Sequence, residues 1–278
     1  MKFGVAIRNM GPQSTPGTMK ECAHTAEQLG FDALFVSDHL CIPPNQTEGS
    51  GGRYVEALTT LAWLAGVTDS IRLGTSVLVL PYRPAVLMAK QIASIQELAG
   101  GRLILGAGVG WMREEFEALG VDRRHRGAIA TEDLRVIRHL FNEDTKPYDG
   151  AHVRFPGFVF LPRPVLPPIW VGGSGAAAIA RAVEFGDGWH PMLPAAELKT
   201  AAPELKRKAD AAGRGDMEII VRRGVRSTDT AAIQEQIGAD RDAGATYFIA
   251  DFGRYNDEAE FSNAAEAFMQ AAAPHPAP

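Results

Sequence analysis

The sequence has few cysteines, no long apolar run and no excess of basic residues. Cys22 and Cys41 are the two cysteines among 278 residues, and they lie in different kinds of segment, so neither a disulfide framework nor a cysteine metal cluster is predicted. We therefore expect a reducing, cytoplasmic location. No apolar stretch approaches membrane-spanning length, and the net charge of -5 disfavours nucleic acid or an anionic membrane as partner. A small-molecule substrate is the expected partner.

Strand-like apolar runs alternate with helical patterns eight times along the chain. The β-branched and leucine-rich runs are typical of parallel strands that helices cover on the outside. Eight such repeats predict an α/β fold, a single (β/α)8 TIM barrel over residues 1–270. We expect an insertion at 142–168, with a small hairpin at 152–161 laid over the barrel, and a disordered tail at 271–278. The eight predicted strands begin near Phe3, Ala33, Arg72, Arg102, Ile169, Gly188, Glu218 and Thr246, and the third is expected to run from Arg72 to Leu80.

Reactive groups of such barrels stand at the C-terminal ends of the strands. The polar candidates there are Arg8, Asn9, Asp38, His39, Ser76, His190 and Asp251, together with the glycines from Gly106 to Gly110. Asp38-His39 is the most informative pair, because an imidazole at the barrel mouth can give or take a proton near neutral pH. The alternative is that Asp38 caps a turn beside an incidental histidine. His190 could act in the same way or could simply form hydrogen bonds inside the rim.

A glycine-rich turn follows the fifth predicted strand. Gly172, Gly173, Ser174 and Gly175 lead from that strand into an alanine-rich helix. Uncovered backbone N–H groups and the positive end of the helix dipole make such a turn a cradle for phosphate. The alternative is a strand-to-helix turn that needs glycine for its backbone angles.

Metal and dinucleotide sites are not predicted. The first strand is followed by Arg8-Asn9 and not by a His-x-His pair, and the chain has neither a helical histidine pair nor a Cys-x-x-Cys motif. The glycines at 106, 108 and 110 do not have the G-x-G-x-x-G spacing. The basic cluster 123–126 is typical of a solvated surface, with an anionic cofactor tail as the alternative ligand.

Four segments, taken together and in order, resemble the luciferase-like family of flavin and deazaflavin oxidoreductases, most closely its coenzyme F420-dependent branch. The segments are residues 26–39 (AEQLGFDALFVSDH), 73–84 (LGTSVLVLPYRP), 101–111 (GRLILGAGVGW) and 186–191 (GDGWHP). The resemblance implies a barrel of the bacterial luciferase type that binds coenzyme F420, with FMN as the alternative. It also implies a homodimer in which the second and third helices form the interface.

The resemblance further implies positions for the cofactor. Its phosphate would rest on Gly172, Gly173, Ser174 and Gly175, and Asp38 and His39 would lie beside the ring, where they act in catalysis. A non-prolyl cis peptide would fall near Ser76-Val77, and Ala107 and Gly108 would let the ring approach the backbone. We also expect Ser76, Val77 and His190 to be cofactor-binding residues.

Three functions remain open on these grounds. The first is hydride transfer between coenzyme F420 and a small organic substrate, with His39 or Asp38 handling the proton. The second is a monooxygenase that uses reduced FMN. The third is a flavin-binding barrel without turnover, or a barrel lyase or hydrolase that acts on a phosphorylated metabolite.

Overall fold

Eight parallel strands form a closed barrel in the computed structural model, which describes residues 1–47, 49–143 and 145–273. The barrel strands are β1 (Lys2–Ala6), β2 (Ala33–Val36), β3 (Arg72–Thr75), β4 (Leu103–Gly108), β5 (Ile169–Gly172), β6 (Gly188–His190), β7 (Glu218–Gly224) and β8 (Tyr247–Asp251). The first strand pairs with β2 on one side and β8 on the other, and the pairing of β3 with β4 joins the two halves of the barrel. The predicted (β/α)8 barrel is confirmed.

Helices follow the strands and cover the outside of the barrel. They are α1 (Pro16–Gln28), α2 (Ala57–Ala65), α3 (Ala85–Leu98), α4 (Arg113–Ala118), α5 (Arg126–Asn142), α6 (Ala176–Phe185), α7 (Ala195–Ala211), α8 (Thr230–Asp242) and α9 (Glu258–Ala272). The short α4 is additional to the eight-repeat pattern and lies in the connection between β4 and α5. Within the described ranges, no helix combines the length and the apolar composition that a membrane crossing requires.

The third strand is interrupted, although the sequence predicted one continuous strand from Arg72 to Leu80. After Thr75 the Ser76–Val77 peptide is cis, at the place that the family resemblance implied, and residues 78–79 then pair with the end of β4. Two glycines of β4 accommodate this bulge. A Cβ on Gly106 would lie 1.9 Å from the Thr75 carbonyl oxygen, and one on Gly108 would lie 2.5 Å from Val77 Cγ2.

Aromatic side chains fill the barrel interior and form its floor. Phe35 of β2 stacks on Trp170 of β5 with ring centroids 5.5 Å apart, and Tyr247 of β8 meets both rings edge-on. The Tyr247 hydroxyl donates to Asp32 Oδ2 at 2.8 Å. Because side chains alternate in direction along a strand, the residue two places beyond each floor residue points inward at the mouth of the barrel.

The insertion lies against two outer helices, whereas the sequence predicts it over the barrel. Its hairpin pairs residues 148–149 with 154–155, which is earlier in the chain than the predicted hairpin. The carboxylate of Glu132, on α5, accepts the backbone N–H groups of His152 and Val153. Lys90, on α3, donates to the carbonyl oxygen of Leu161. Hydrogen bonds to two helices therefore hold the insertion on the outside of the barrel.

The predicted tail begins too early. Ala271 and Ala272, which were expected to be disordered, are the last residues of α9. Ala271 is buried, which explains why the helix extends through it. Ala273 is the C-cap of α9, and the other predicted tail residues, 274–278, lie outside the described residues.

Candidate active site

An arginine at the barrel mouth connects three strands. Arg222 lies two residues beyond the floor residue Ile220, on β7, and donates from Nη1 to Ser37 Oγ at 3.1 Å and to the Ser76 carbonyl at 3.0 Å. Its Nη2 and Nε donate to Asp251 Oδ2 at 2.8 and 3.1 Å. Burial raises the pKa of Asp251, but the charge and hydrogen bonds of Arg222, together with the Gly253 N–H and the charge of Arg226, outweigh it and the pKa falls below its usual range. The guanidinium thus holds the bulge of β3 against β2 and β8.

His190 is a neutral imidazole inside the rim. Its Nδ1 lies 3.0 Å from the Ile220 carbonyl oxygen, which can only accept, so Nδ1 carries the proton. Its Nε2 therefore accepts from Ser76 Oγ at 2.9 Å. Burial lowers the pKa of His190 to about 4. These contacts agree with a histidine that positions the Ser76–Val77 bulge, on which a cofactor ring could lie.

His39 forms a dyad with a buried carboxylate that sequence reasoning missed. Its Nδ1 lies 2.9 Å from Glu115 Oε2, and its side chain is 19% exposed while that of Glu115 is fully buried. The same carboxylate accepts the backbone N–H groups of Leu40 and Cys41 and the hydroxyl of Tyr82. Because the carboxylate only accepts, His39 Nδ1 is the protonated nitrogen of the neutral ring, and Nε2 is left as a proton acceptor.

The hydrogen bonds to Glu115 decide its charge. Burial alone raises the pKa of a carboxylate, but the hydrogen bonds from His39, Leu40 and Tyr82 outweigh that effect and the pKa of Glu115 is lowered. Burial and the neighbouring Glu115 raise the pKa of Tyr82, so its hydroxyl remains a donor. The dyad therefore presents an ionised carboxylate to the imidazole at neutral pH.

Asp38 is next to His39 in sequence, but its side chain points away from the mouth of the barrel. Its two carboxylate oxygens accept from Arg83 Nη1 and Nη2, each at 2.8 Å, and Oδ2 also accepts the Val79 N–H. The Asp38 side chain has no exposed surface, and Arg83 also pairs with Glu56. This geometry makes Asp38 a positioning residue that ties β2 to the segment after the bulge. Its expected catalytic contact with a bound ring does not fit this burial.

The glycine-rich turn presents unused amide groups. In the described part of the chain, the N–H groups of Ser174, Gly175, Ala176 and Ala177 have no acceptor. Gly173 has a φ of +116°, which favours glycine, and a Cβ on Gly175 would meet no atom within 4 Å. The Ser174 side chain accepts the Met192 N–H, which holds the turn. Four uncovered donors at a helix start and open space in front of them fit a phosphate group.

The comparison with known families agrees with this architecture. The model of the luciferase-like monooxygenase family matches residues 1–277. The chain belongs to this family.

The relatives of this chain include an enzyme named as F420-dependent and a protein named as uncharacterized. An F420-dependent glucose-6-phosphate dehydrogenase from Kineococcus radiotolerans is 34% identical over 216 residues, which cover 74% of this chain and 62% of the relative. An uncharacterized protein from Mycobacterium tuberculosis is 32% identical over 206 residues, covering 69% of this chain and 71% of that protein.

Solved structures share the fold of the family. An F420-dependent secondary alcohol dehydrogenase superimposes with a TM-score of 0.81 at 16% identity, over 97% of each chain. A monooxygenase from Streptomyces bottropensis superimposes with a TM-score of 0.83 at 19% identity, over 97% of this chain and 98% of that one. At these identities the solved structures establish the fold and do not indicate which cofactor this chain binds.

The structure brings some predicted site residues together and separates others. Ser76, Val77, Gly172 and His190 meet at the bulge, where a Cβ on Gly172 would lie 3.1 Å from Val77 Cγ1. Gly108 lies against the bulge, where a Cβ would be 2.5 Å from Val77 Cγ2, and Ala107 is buried in the main hydrophobic core. The approach of a ring to these two residues stays a prediction. No three His, Cys, Asp or Glu side chains of the described ranges converge as metal ligands.

Proposed function

We propose that this family member is an oxidoreductase that transfers a hydride between coenzyme F420 and a small organic substrate. The observation that carries the proposal is the His39–Glu115 dyad, which leaves Nε2 of a partly exposed imidazole as a proton acceptor. Oxidising an alcohol to a carbonyl compound removes a hydride from carbon and a proton from oxygen. A hydride-accepting cofactor therefore needs a partner that takes the proton, and His39 has that geometry.

Coenzyme F420, when bound, accepts or supplies the hydride. The protein's part is to hold its phosphate with the amides of Ser174, Gly175, Ala176 and Ala177, and to support its ring with the bulge at Ser76–Val77. Neutral His190 and the Arg222–Asp251 pair keep that bulge in place without leaving an unpaired charge under the ring. The 34% identical F420-dependent relative supports this cofactor over FMN.

His39 takes the substrate proton at Nε2 and becomes an imidazolium cation. The carboxylate of Glu115, 2.9 Å from Nδ1, stabilises that positive charge. For carbonyl reduction the same nitrogen returns the proton to oxygen. Such positioned proton transfer contributes about 10²–10⁴-fold to rate in enzymes.

Cofactor titration tests the proposal. The purified protein is titrated separately with F420 and with FMN, and binding is followed by cofactor fluorescence. We expect F420 to bind and Gly175→Asp to weaken F420 binding at least about tenfold, because the added carboxylate faces the phosphate. Gly215→Asp is the matched control, since a Cβ there also meets no atom within 4 Å. Tight binding of FMN with no binding of F420 would reject the proposed cofactor and favour the reduced-FMN monooxygenase.

Turnover tests the proton-transfer role separately. A His39→Ala variant that binds F420 normally and keeps full turnover would reject His39 in that role. A protein that binds F420 but changes its absorbance with no reductant or oxidisable substrate would instead be a binding barrel without turnover.

A further inference from the structure

Trp111 is an exposed aromatic residue that the structure holds firmly at the barrel mouth. It is 61% exposed, although Met112, the next residue, is buried. The preceding Gly110 has a φ of +72°, and a Cβ there would lie 2.6 Å from Val79 Cγ1. Arg123 Nε donates to the Trp111 carbonyl at 3.1 Å. Contacts on both sides thus fix the loop that presents this indole to solvent.

The indole lies beside the proposed proton acceptor. The rings of Trp111 and His39 have centroids 6.0 Å apart and planes at 82°, and Tyr54 meets His39 from 5.0 Å at 61°. Leu40, the residue after His39, is also exposed. Isolated exposed apolar residues are ordinary on a protein surface, but here the Trp111 ring lies against an imidazole whose side chain is itself 19% exposed.

No cation contacts His39 directly in the described part of the chain, where its direct partners are Glu115, Tyr54 and Trp111. Arg8 and Arg222 lie near Tyr54, but both are bound within the protein. Arg222 donates to Asp251, and Arg8 donates to the carbonyl oxygens of Gly49 and Gly253. The Arg83 side chain is 9% exposed and is paired with Asp38 and Glu56. Arg123 is exposed, and its Nε is bound to the Trp111 carbonyl.

We propose that Trp111 is a specificity-determining residue and that the substrate is a neutral alcohol, or the matching carbonyl compound, with an apolar carbon skeleton. The indole forms the apolar wall against which the skeleton packs, while the hydroxyl reaches His39. In the oxidation, the carbinol C–H leaves as hydride to F420, and the O–H proton goes to His39 Nε2. This inference rests on the proposed function and narrows its substrate to a class without the phosphate of glucose 6-phosphate.

Fluorine NMR gives a binding readout that does not depend on turnover. The chain has four tryptophans, so 5-fluorotryptophan labelling yields four signals, and Trp111→Phe identifies the one from Trp111. The cofactor-loaded protein is titrated with cyclohexanol and with glucose 6-phosphate, which share a six-membered ring and differ in polarity and charge. We expect a saturable shift of the Trp111 signal with cyclohexanol alone. A shift with glucose 6-phosphate only, or with neither compound, overturns the proposal.

Steady-state kinetics of Trp111 variants provide a second test of the proposal. Trp111→Ala should raise KM for cyclohexanol about tenfold with little change in kcat, because the contact binds the skeleton and leaves the proton path intact. Trp111→Phe should recover most of the loss. Leu98→Ala, an exposed apolar control on α3, should leave KM unchanged. Loss of sugar-phosphate turnover on removing Arg123 would contradict the neutral substrate.

A failure of the proposed function can be distinguished from a failure of the Trp111 proposal by the cofactor that the protein binds. If the protein binds FMN and not F420, the hydride-transfer proposal is rejected. The same fluorine titration on the FMN-loaded protein then still decides whether Trp111 lines an apolar substrate pocket.

Discussion

Replacing Glu115 by glutamine should switch the tautomer of His39. In the native protein one carboxylate oxygen accepts the N–H groups of Leu40 and Cys41, and the other accepts from His39 Nδ1 and Tyr82. The glutamine oxygen would stay with the two backbone donors. Its NH2 group would then face His39 Nδ1, which must become an acceptor, and the ring proton would move to Nε2.

The size of the effect follows from the bonds that change. Two of the four hydrogen bonds to a buried charged acceptor are lost or reversed, and bonds of this kind contribute about 1.5–3 kcal/mol each. Glutamine recovers part of this through new bonds, so we expect Glu115→Gln to lose about 3 kcal/mol of unfolding free energy. Turnover should fall by about 100-fold or more, because the substrate proton loses its acceptor.

Nitrogen NMR of ring-labelled histidine, at a pH where the ring is neutral, reads the tautomer directly. We expect Nδ1 protonated in the native protein and Nε2 protonated in Glu115→Gln, with His39→Gln identifying the signals. Glu117→Gln, on the exposed side of the same helix, is the matched control and should change neither tautomer nor stability. An unchanged His39 tautomer with full turnover in Glu115→Gln would refute the dyad.

Two further predictions concern the groups around the bulge. Asp38→Asn removes the charge that pairs with Arg83 and leaves Arg83 with Glu56 alone, so chemical denaturation should show a loss of about 3 kcal/mol in unfolding free energy. Glu114→Gln, at the surface, is the control and should lose almost none. Equal stability of both variants would contradict the structure. His190 has its pKa lowered from 6.5 to about 4 by burial, so the unfolded state takes up a proton first as pH falls. The contribution of neutral, buried His190 to the unfolding free energy should be complete above pH 6.5 and should decline by about 3 kcal/mol as the pH falls towards 4. The stability difference between native protein and His190→Gln should follow that pH window, and a difference that does not change with pH would exclude the assignment.

The network around Arg222 shows which site residues a sequence pattern can and cannot reveal. Ile220 is buried and inward, so the two-residue period places Arg222 at the mouth, and that signal was present in the sequence but not used. Its partner Asp251 was among the rim candidates for the same reason. The contact of Arg222 with Ser37, 185 residues away in the chain, has no local signal.

The sequence by itself determined the repeat and its turns. Eight apolar runs separated by helical patterns specify the barrel, and the glycines at 172, 173 and 175 specify an open strand-to-helix turn, because both depend on periodicity and backbone freedom within a few residues.

Only the tertiary structure decided which side chains meet. In the folded chain Asp38 pairs with Arg83, and His39 pairs with Glu115. These two neighbours in sequence have different partners because consecutive side chains at a strand end point in opposite directions. The tertiary structure also turned Gly108 towards Val77 and placed Trp111 beside His39. Burial and hydrogen-bond satisfaction are properties of the closed barrel, and no single segment of the chain contains them.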